Sequence, residues 1–92
     1  MEKAIIVGVS QVNSTYDIKY SLDELSKLAL ANDILVVDVI TQALKRPTPN
    51  YYVGKGKIED IKLAISLHNP DLVIFDDELT PSQLRNIEKE LD

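Results

Sequence analysis

The chain has 92 residues, 45% of them hydrophobic, with a formal net charge of −5 and no cysteine. That is one globular domain's worth of sequence, large enough to fold alone with little surplus stability. Disulfides and thiolate metal sites are excluded, a single histidine argues against zinc, no apolar run approaches the ~18 residues of a membrane span, and no secretory-type leader opens the chain.

Charge is unevenly spread. Residues 1–44 carry six acids and three bases, and residues 71–92 carry seven acids against Arg85 and Lys89. Between them, residues 45–62 place Lys45, Arg46, Lys55, Lys57 and Lys62 against Glu59 and Asp60, five bases to two acids. A basic centre between acidic flanks can meet phosphate locally while the whole molecule stays acidic. The same lysines also fit a solvated loop and helix face.

Ala4-Ile5-Ile6-Val7-Gly8-Val9 is a continuous apolar run rich in β-branched residues, the pattern of a strand covered on both faces. Residues 10–20 are polar, with Asn13-Ser14-Thr15 as turn material. Ser21 and Glu24 fit a capping box opening a helix whose apolar stripe is Leu22, Leu25, Leu28 and Ala29, ended by Asn32 and Asp33. Ile34 to Ile40 reads as a second buried strand. Lys45 to Asn50, with two prolines, cannot continue it. Tyr51-Tyr52-Val53 returns briefly to extended structure before Gly54-Lys55-Gly56-Lys57 leads into a helix striped by Ile58, Ile61, Ile65 and His68. Asn69-Pro70 stops that helix.

Leu72-Val73-Ile74-Phe75 is a third strand. Thr80 then has the character of an N-cap, with Pro81 at the first helical position and Gln83 completing the capping box, ahead of Leu84, Ile87 and Leu91. The order β-α-β-α-β-α calls for a small three-layer α/β domain with a parallel sheet. Right-handed crossovers on opposite faces set the strand order 2-1-3.

Sites in such sheets gather beyond the carboxyl ends of the strands. Gly54-Lys55-Gly56-Lys57 stands there before a helix N-terminus, where free N–H groups favour an anion. It is neither a P-loop, since Ile58 follows Lys57, nor a dinucleotide fingerprint, since Glu59 takes the last glycine's place. Its plain alternative is a tight turn whose glycines supply unusual φ. Asp76-Asp77-Glu78 could hold Mg²⁺, or could complement the positive end of the last helix, the simpler account. A phospho-receiver role would need acids after the first strand, where Gly8-Val9-Ser10 stands. His68 suits a helix C-terminus. Ser10, Ser14 and Ser82 have no triad partners, and tyrosines 16, 20, 51 and 52 fit a half-buried rim before base stacking.

Two long segments resemble the N-terminal domain of the HflX-type ribosome-associated GTPases. Thr41-Gln42, the basic proline loop and Tyr52-Val53-Gly54-Lys55-Gly56-Lys57 look like the family's T-Q … Y-I-G-x-G-K; Phe75 to Leu84 looks like its F-D-D-E-L-x-P-x-Q segment, and Arg85-Asn86 continues it. Lys55 stands where the family often has a small residue. The resemblance implies a cytoplasmic GTP-binding protein that associates with the large ribosomal subunit and splits ribosomes. It makes Arg46, Gly54, Lys55, Gly56, Lys57 and Arg85 the candidates for facing rRNA or nucleotide. Thr41, Gln42, Tyr52, Asp76, Asp77, Glu78, Pro81 and Gln83 are the family-motif residues.

None of the GTPase motifs is present. Residues 1–92 are therefore expected to be a non-catalytic subdomain without metal, with GTP and Mg²⁺ belonging to a GTPase domain beyond it. A helical hairpin and a fourth strand would also follow Asp92 in the family. Without that strand, the Leu72–Phe75 edge invites a homodimer. A small nucleotide- or Mg²⁺-responsive regulatory domain is the alternative reading.

Overall fold

A computed structural model of the protein describes residues 1–12 and 17–91, so the expected turn at 13–15 and Tyr16 lie outside the described residues. Six elements alternate along the chain: β1 (Glu2–Gln11), α1 (Ile18–Ala31), β2 (Ile34–Leu44), α2 (Lys55–His68), β3 (Leu72–Phe75) and α3 (Pro81–Leu91). The strands form one parallel sheet in the order β2-β1-β3.

The central strand is buried throughout Ala4 to Val9, which is why its sequence shows no polar alternation. Ile5, Val7 and Val9 belong to the core shared with Ile58 and Ile61 of α2 and Ile87 of α3. The alternate residues face α1. A Cβ on Gly8 would stand 3.1 Å from Ile18 Cδ1 and 3.2 Å from Leu22 Cδ2, so the glycine lets α1 approach the sheet closely.

The second strand runs beyond Ile40 and takes in Thr41 and Gln42. It also contains an irregularity: Ala4 opposes Val36 while Ile5 opposes Asp38, leaving Val37 as an extra residue. Val37 packs against the α2-side core, and Asp38 faces the same helix, its Oδ2 3.3 Å from His68 Nε2.

Helix α1 begins earlier than Ser21. Asp17 is the N-cap, its carboxylate accepting from the Tyr20 N–H at 3.2 Å. Ser21 lies one turn inside and donates its hydroxyl to Asp76 Oδ2 at 2.9 Å, while Glu24 pairs with Lys27. A carboxylate at the right spacing supplied a competing cap, and a partner 55 residues away claimed the serine. The apolar stripe is also narrower than expected: Leu22 and Ala29 are buried, but Leu28 is 61% exposed. Asn32 and Asp33 end the helix, Asp33 in the left-handed region at φ 64°.

Helix α2 buries Ile58, Ile61 and Ala64 and stops at Asn69, left-handed at φ 48°, before Pro70. Helix α3 opens with the reciprocal capping box: Thr80 N–H donates to Gln83 Oε1 (2.9 Å) and Gln83 N–H to Thr80 Oγ1 (3.1 Å). Its buried residues are Gln83 and Ile87, whereas Leu84 is exposed beside β3. No helix among the described residues is long and apolar enough to cross a membrane.

Candidate functional site

The chain leaves β2 at Leu44 and returns almost to its starting point ten residues later. Gln42 Oε1 accepts the Gly54 N–H at 2.7 Å, closing residues 43–53 into a loop at the carboxyl edge of the sheet. Neither Gly54 nor Gly56 has a positive φ, so the expectation of unusual glycine backbone is not met. Gly54 instead lies close against Gln42: a Cβ there would sit 3.0 Å from Gln42 Nε2, and the amide would have to give way to it. The left-handed residue is Tyr52, at φ 67°.

Tyr52 is the loop's anchor. Thr48 and Tyr52 exchange both backbone hydrogen bonds at 3.0 Å, and Val53 N–H donates to Tyr51 O across Tyr52 at 2.6 Å, a γ-turn with positive central φ. Such a turn is strained for a residue with a Cβ and needs compensation from its surroundings. The side chain supplies it: the ring is 2% exposed, packs edge-on to Phe75 at 5.7 Å, and its hydroxyl accepts the Val9 N–H at 3.2 Å. This tyrosine is a core residue, not a rim platform for bases. Thr48 adds a bond from its hydroxyl to Val53 O at 2.7 Å.

From the other side, α3 presents a polar row to the loop. Gln83 Nε2 donates to Thr48 O (2.8 Å), Asn86 Nδ2 to Asn50 O (3.0 Å), and Tyr51 Oη to Glu90 Oε1 (3.4 Å). Glu90 also receives Lys62 of α2 at 3.3 Å. The hydrogen bond from Glu90 raises the Lys62 pKa above the usual lysine value, with Glu59 adding to it against a smaller desolvation effect. Positions 83, 86 and 90 share one helix face. A segment without regular secondary structure must find partners for its backbone, and these amides provide them.

The basic residues differ among themselves. Lys45, Arg46 and Lys55 are exposed and form no ion pair among the described residues. Lys57 is half-buried and pairs with Asp60 at 3.3 Å. Among the described residues Arg85, on the first turns of α3, reaches Ser82 Oγ at 3.4 Å and forms no ion pair. Among the described residues no side chain caps the head of α2 between Lys55 and Lys57, and none crowds the space around Gly56.

The acids do not gather into a ligand set. Asp76 faces Ser21 of α1, while Asp77 bonds the Glu78 N–H and both of those residues are exposed. No group of three His, Asp or Glu side chains converges among the described residues. The first turn of α3 contains no acid of its own, and Thr80 and Gln83 cap it. Thr41 and Gln42 part company. Thr41 lines a cleft of about 430 Å³ with Ile18, Leu22 and Val39 on the α1 face, and Gln42 serves the loop. His68 lies away from this edge, bound to Asp38, with its carbonyl accepting Lys3 Nζ at 3.1 Å.

The molecule is thus a three-layer parallel α/β domain whose carboxyl edge holds a clamped basic loop. The family described as GTP-binding GTPase N-terminal matches residues 19–92. The chain is 45% identical over 92 residues, 99% of its length, to a GTPase HflX of Flavobacterium psychrophilum, covering 22% of that protein. It is 44% identical over 91 residues to the GTPase HflX of Lacrimispora saccharolytica, covering 99% of this chain and 21% of that one. To the GTPase HflX of Escherichia coli it is 37% identical over 68 residues, 74% of this chain and 16% of the relative. The chain belongs to the family of N-terminal domains of HflX GTPases, and it spans about a fifth of the length of the first two of these curated relatives.

Proposed function

We propose that this chain is the ribosome-docking module of a GTP-binding protein that associates with the large ribosomal subunit and splits ribosomes in the cytoplasm. It performs no catalysis itself; GTP and Mg²⁺ are the business of a GTPase domain elsewhere in such proteins. The observation that carries the reading is the fixed loop with Lys45, Arg46 and Lys55 exposed and free of carboxylate partners among the described residues. Cations held in place without internal neutralisation suit a phosphodiester backbone.

Lys57 contributes less than its sequence position suggests, because Asp60 already neutralises it. The test is co-sedimentation of the chain with large ribosomal subunits across a salt series. Arg46→Glu with Lys55→Glu weakens binding and flattens its dependence on salt, while the fold stays intact by circular dichroism. Equal binding by both proteins at every salt concentration shows that the bases only solubilise the loop. The uncapped head of α2 favours a second reading, adenine-nucleotide binding. Saturable protection of the Lys55 and Gly56 amides by ATP, with no ribosome binding, would select it.

A further inference from the structure

We propose that Gln42 and Gln83 are positioning residues for the anion-facing loop, two side-chain amides that hold its exposed cations in a fixed arrangement. The inference rests on the docking reading above and extends it to residues that touch no ligand. The two glutamines act from different elements on different points of one segment. Gln42, on β2, holds Gly54 where the loop ends; Gln83, on α3, holds Thr48 near its middle.

Gln83 is the buried polar side chain among the described residues, 7% exposed, and both ends of its amide are used: Oε1 takes the Thr80 N–H and Nε2 reaches Thr48 O. An apolar residue of similar volume would fill the same space at no desolvation cost, yet it would take from the Thr80 N–H its acceptor and from Thr48 O one of its two donors. Thr48 O already accepts the Tyr52 N–H, so Gln83 joins the carbonyl that bridges to Tyr52, the residue at the centre of the strained turn. Beyond Leu44, where β2 ends, these two amides share the work of tying the loop to the folded body with Asn86 on Asn50 O, Glu90 on Tyr51 and the buried Tyr52 side chain.

Holding cations matters because several phosphates are engaged at once only if the charges need not be ordered on binding. A loop released from its amides keeps every charge and loses their fixed spacing. Gln83→Met is the substitution of choice, preserving length and volume while removing donor and acceptor. Gln42→Met is its counterpart at the other tie.

The experiment has two readouts on the 92-residue chain at a temperature where circular dichroism shows each variant folded. Amide hydrogen exchange at Tyr52 and Gly54 reads the clamp. Fluorescence anisotropy of a labelled single-stranded RNA across a salt series reads the cation arrangement. We expect Gln83→Met to speed exchange at Tyr52, Gln42→Met to speed it at Gly54, and both to lower RNA affinity about tenfold. The log–log salt slope should shrink by ~0.7 for each phosphate no longer engaged. Simple destabilisation lowers the folded fraction and leaves that slope alone. Unchanged exchange overturns the clamp itself. Faster exchange with an unchanged slope overturns the positioning role while leaving the docking reading standing. A wild-type chain that shows no RNA binding while its amides are protected defeats the docking reading, and the positioning role with it.

Discussion

The two glycines of the Gly54-Lys55-Gly56-Lys57 turn should respond to alanine in opposite directions. At Gly54, φ is −66° and ψ 153°, a conformation alanine accepts, so the added methyl acts only through its neighbours. It would stand 3.0 Å from Gln42 Nε2 and 3.4 Å from Oε1, so the amide must give by a few tenths of an ångström, and we expect that to cost the bond it now makes with the Gly54 N–H at 2.7 Å. Losing that half-buried bond costs about 1–2 kcal/mol. Alanine is also a poorer N-cap than glycine by roughly 0.5 kcal/mol. The reduced freedom of the unfolded chain returns about 0.4–1 kcal/mol. The net expectation is a loss of about 1 kcal/mol, which lowers the urea midpoint by about 0.5–1 M for a domain of this size. At Gly56 a Cβ meets nothing within 4 Å, so Gly56→Ala should gain about 0.5 kcal/mol from helix propensity. Urea unfolding followed by circular dichroism measures both. A control separates steric from local effects: in a Gln42→Ala background, Gly54→Ala should lose most of its cost. If Gly54→Ala is as harmless as Gly56→Ala, or costs the same with and without Gln42, then the loop is not closed through this bond.

Three further outcomes are expected. The Lys62 pKa is raised by Glu90 and Glu59, so its contribution is fully present below the unfolded value near 10.5 and is lost as pH climbs through the higher folded value. Urea midpoints from pH 9 to 11.5 should therefore fall more steeply for wild type than for Lys62→Met, and parallel curves would refute the linkage. Purified chain with GTP and Mg²⁺ should release phosphate no faster than buffer, because no residue pattern here forms a P-loop; turnover above that control would contradict the non-catalytic reading. Strand β3 pairs only with β1 among the described residues, and its free edge should support self-association. Antiparallel pairing about Val73 and Ile74 sets Asp71 opposite Asp76, so association should be weak and should tighten as salt screens them. A monomer by light scattering at every salt concentration would rule this out.

The sheet order and element sequence were legible because they follow from periodicity and local punctuation. Ala4 to Val9 could only be a doubly covered strand, and Thr80-Pro81-Ser82-Gln83 spelled a helix start in adjacent residues. Local signals misled where a distant partner intervened. Ser21 looked like a cap until Asp76, on the far side of the sequence, took its hydroxyl. Leu84 fits the apolar spacing of α3 with Ile87 and Leu91, but Gln83 is the residue buried beside Ile87, where its amide donates to Thr48 O. The basic residues were found by counting charge, yet Lys57 could not be separated from Lys55 without seeing Asp60 beside it. The motif glutamines and Tyr52 were noticed as family markers; their roles as ties and anchor emerge only when residues 9, 42, 48, 54 and 83 meet in space.

The extra residue at Val37 has a consequence for Gln42. In the parallel pairing, Val9 of the α2-side core opposes Gln42, and Ile5 opposes Asp38. Counting forward from the Ala4–Val36 pair without the irregularity, Val9 would meet Thr41, and Gln42 would fall on the α1 side. Val37 thus works as a phase shifter, a half-period offset inserted five residues upstream of the side chain it aims. A β2 that kept Val37 but paired with β1 without the irregularity would keep every basic residue, both glutamines and both glycines. It would nevertheless turn Gln42 away from Gly54 and leave the loop unlatched at its end.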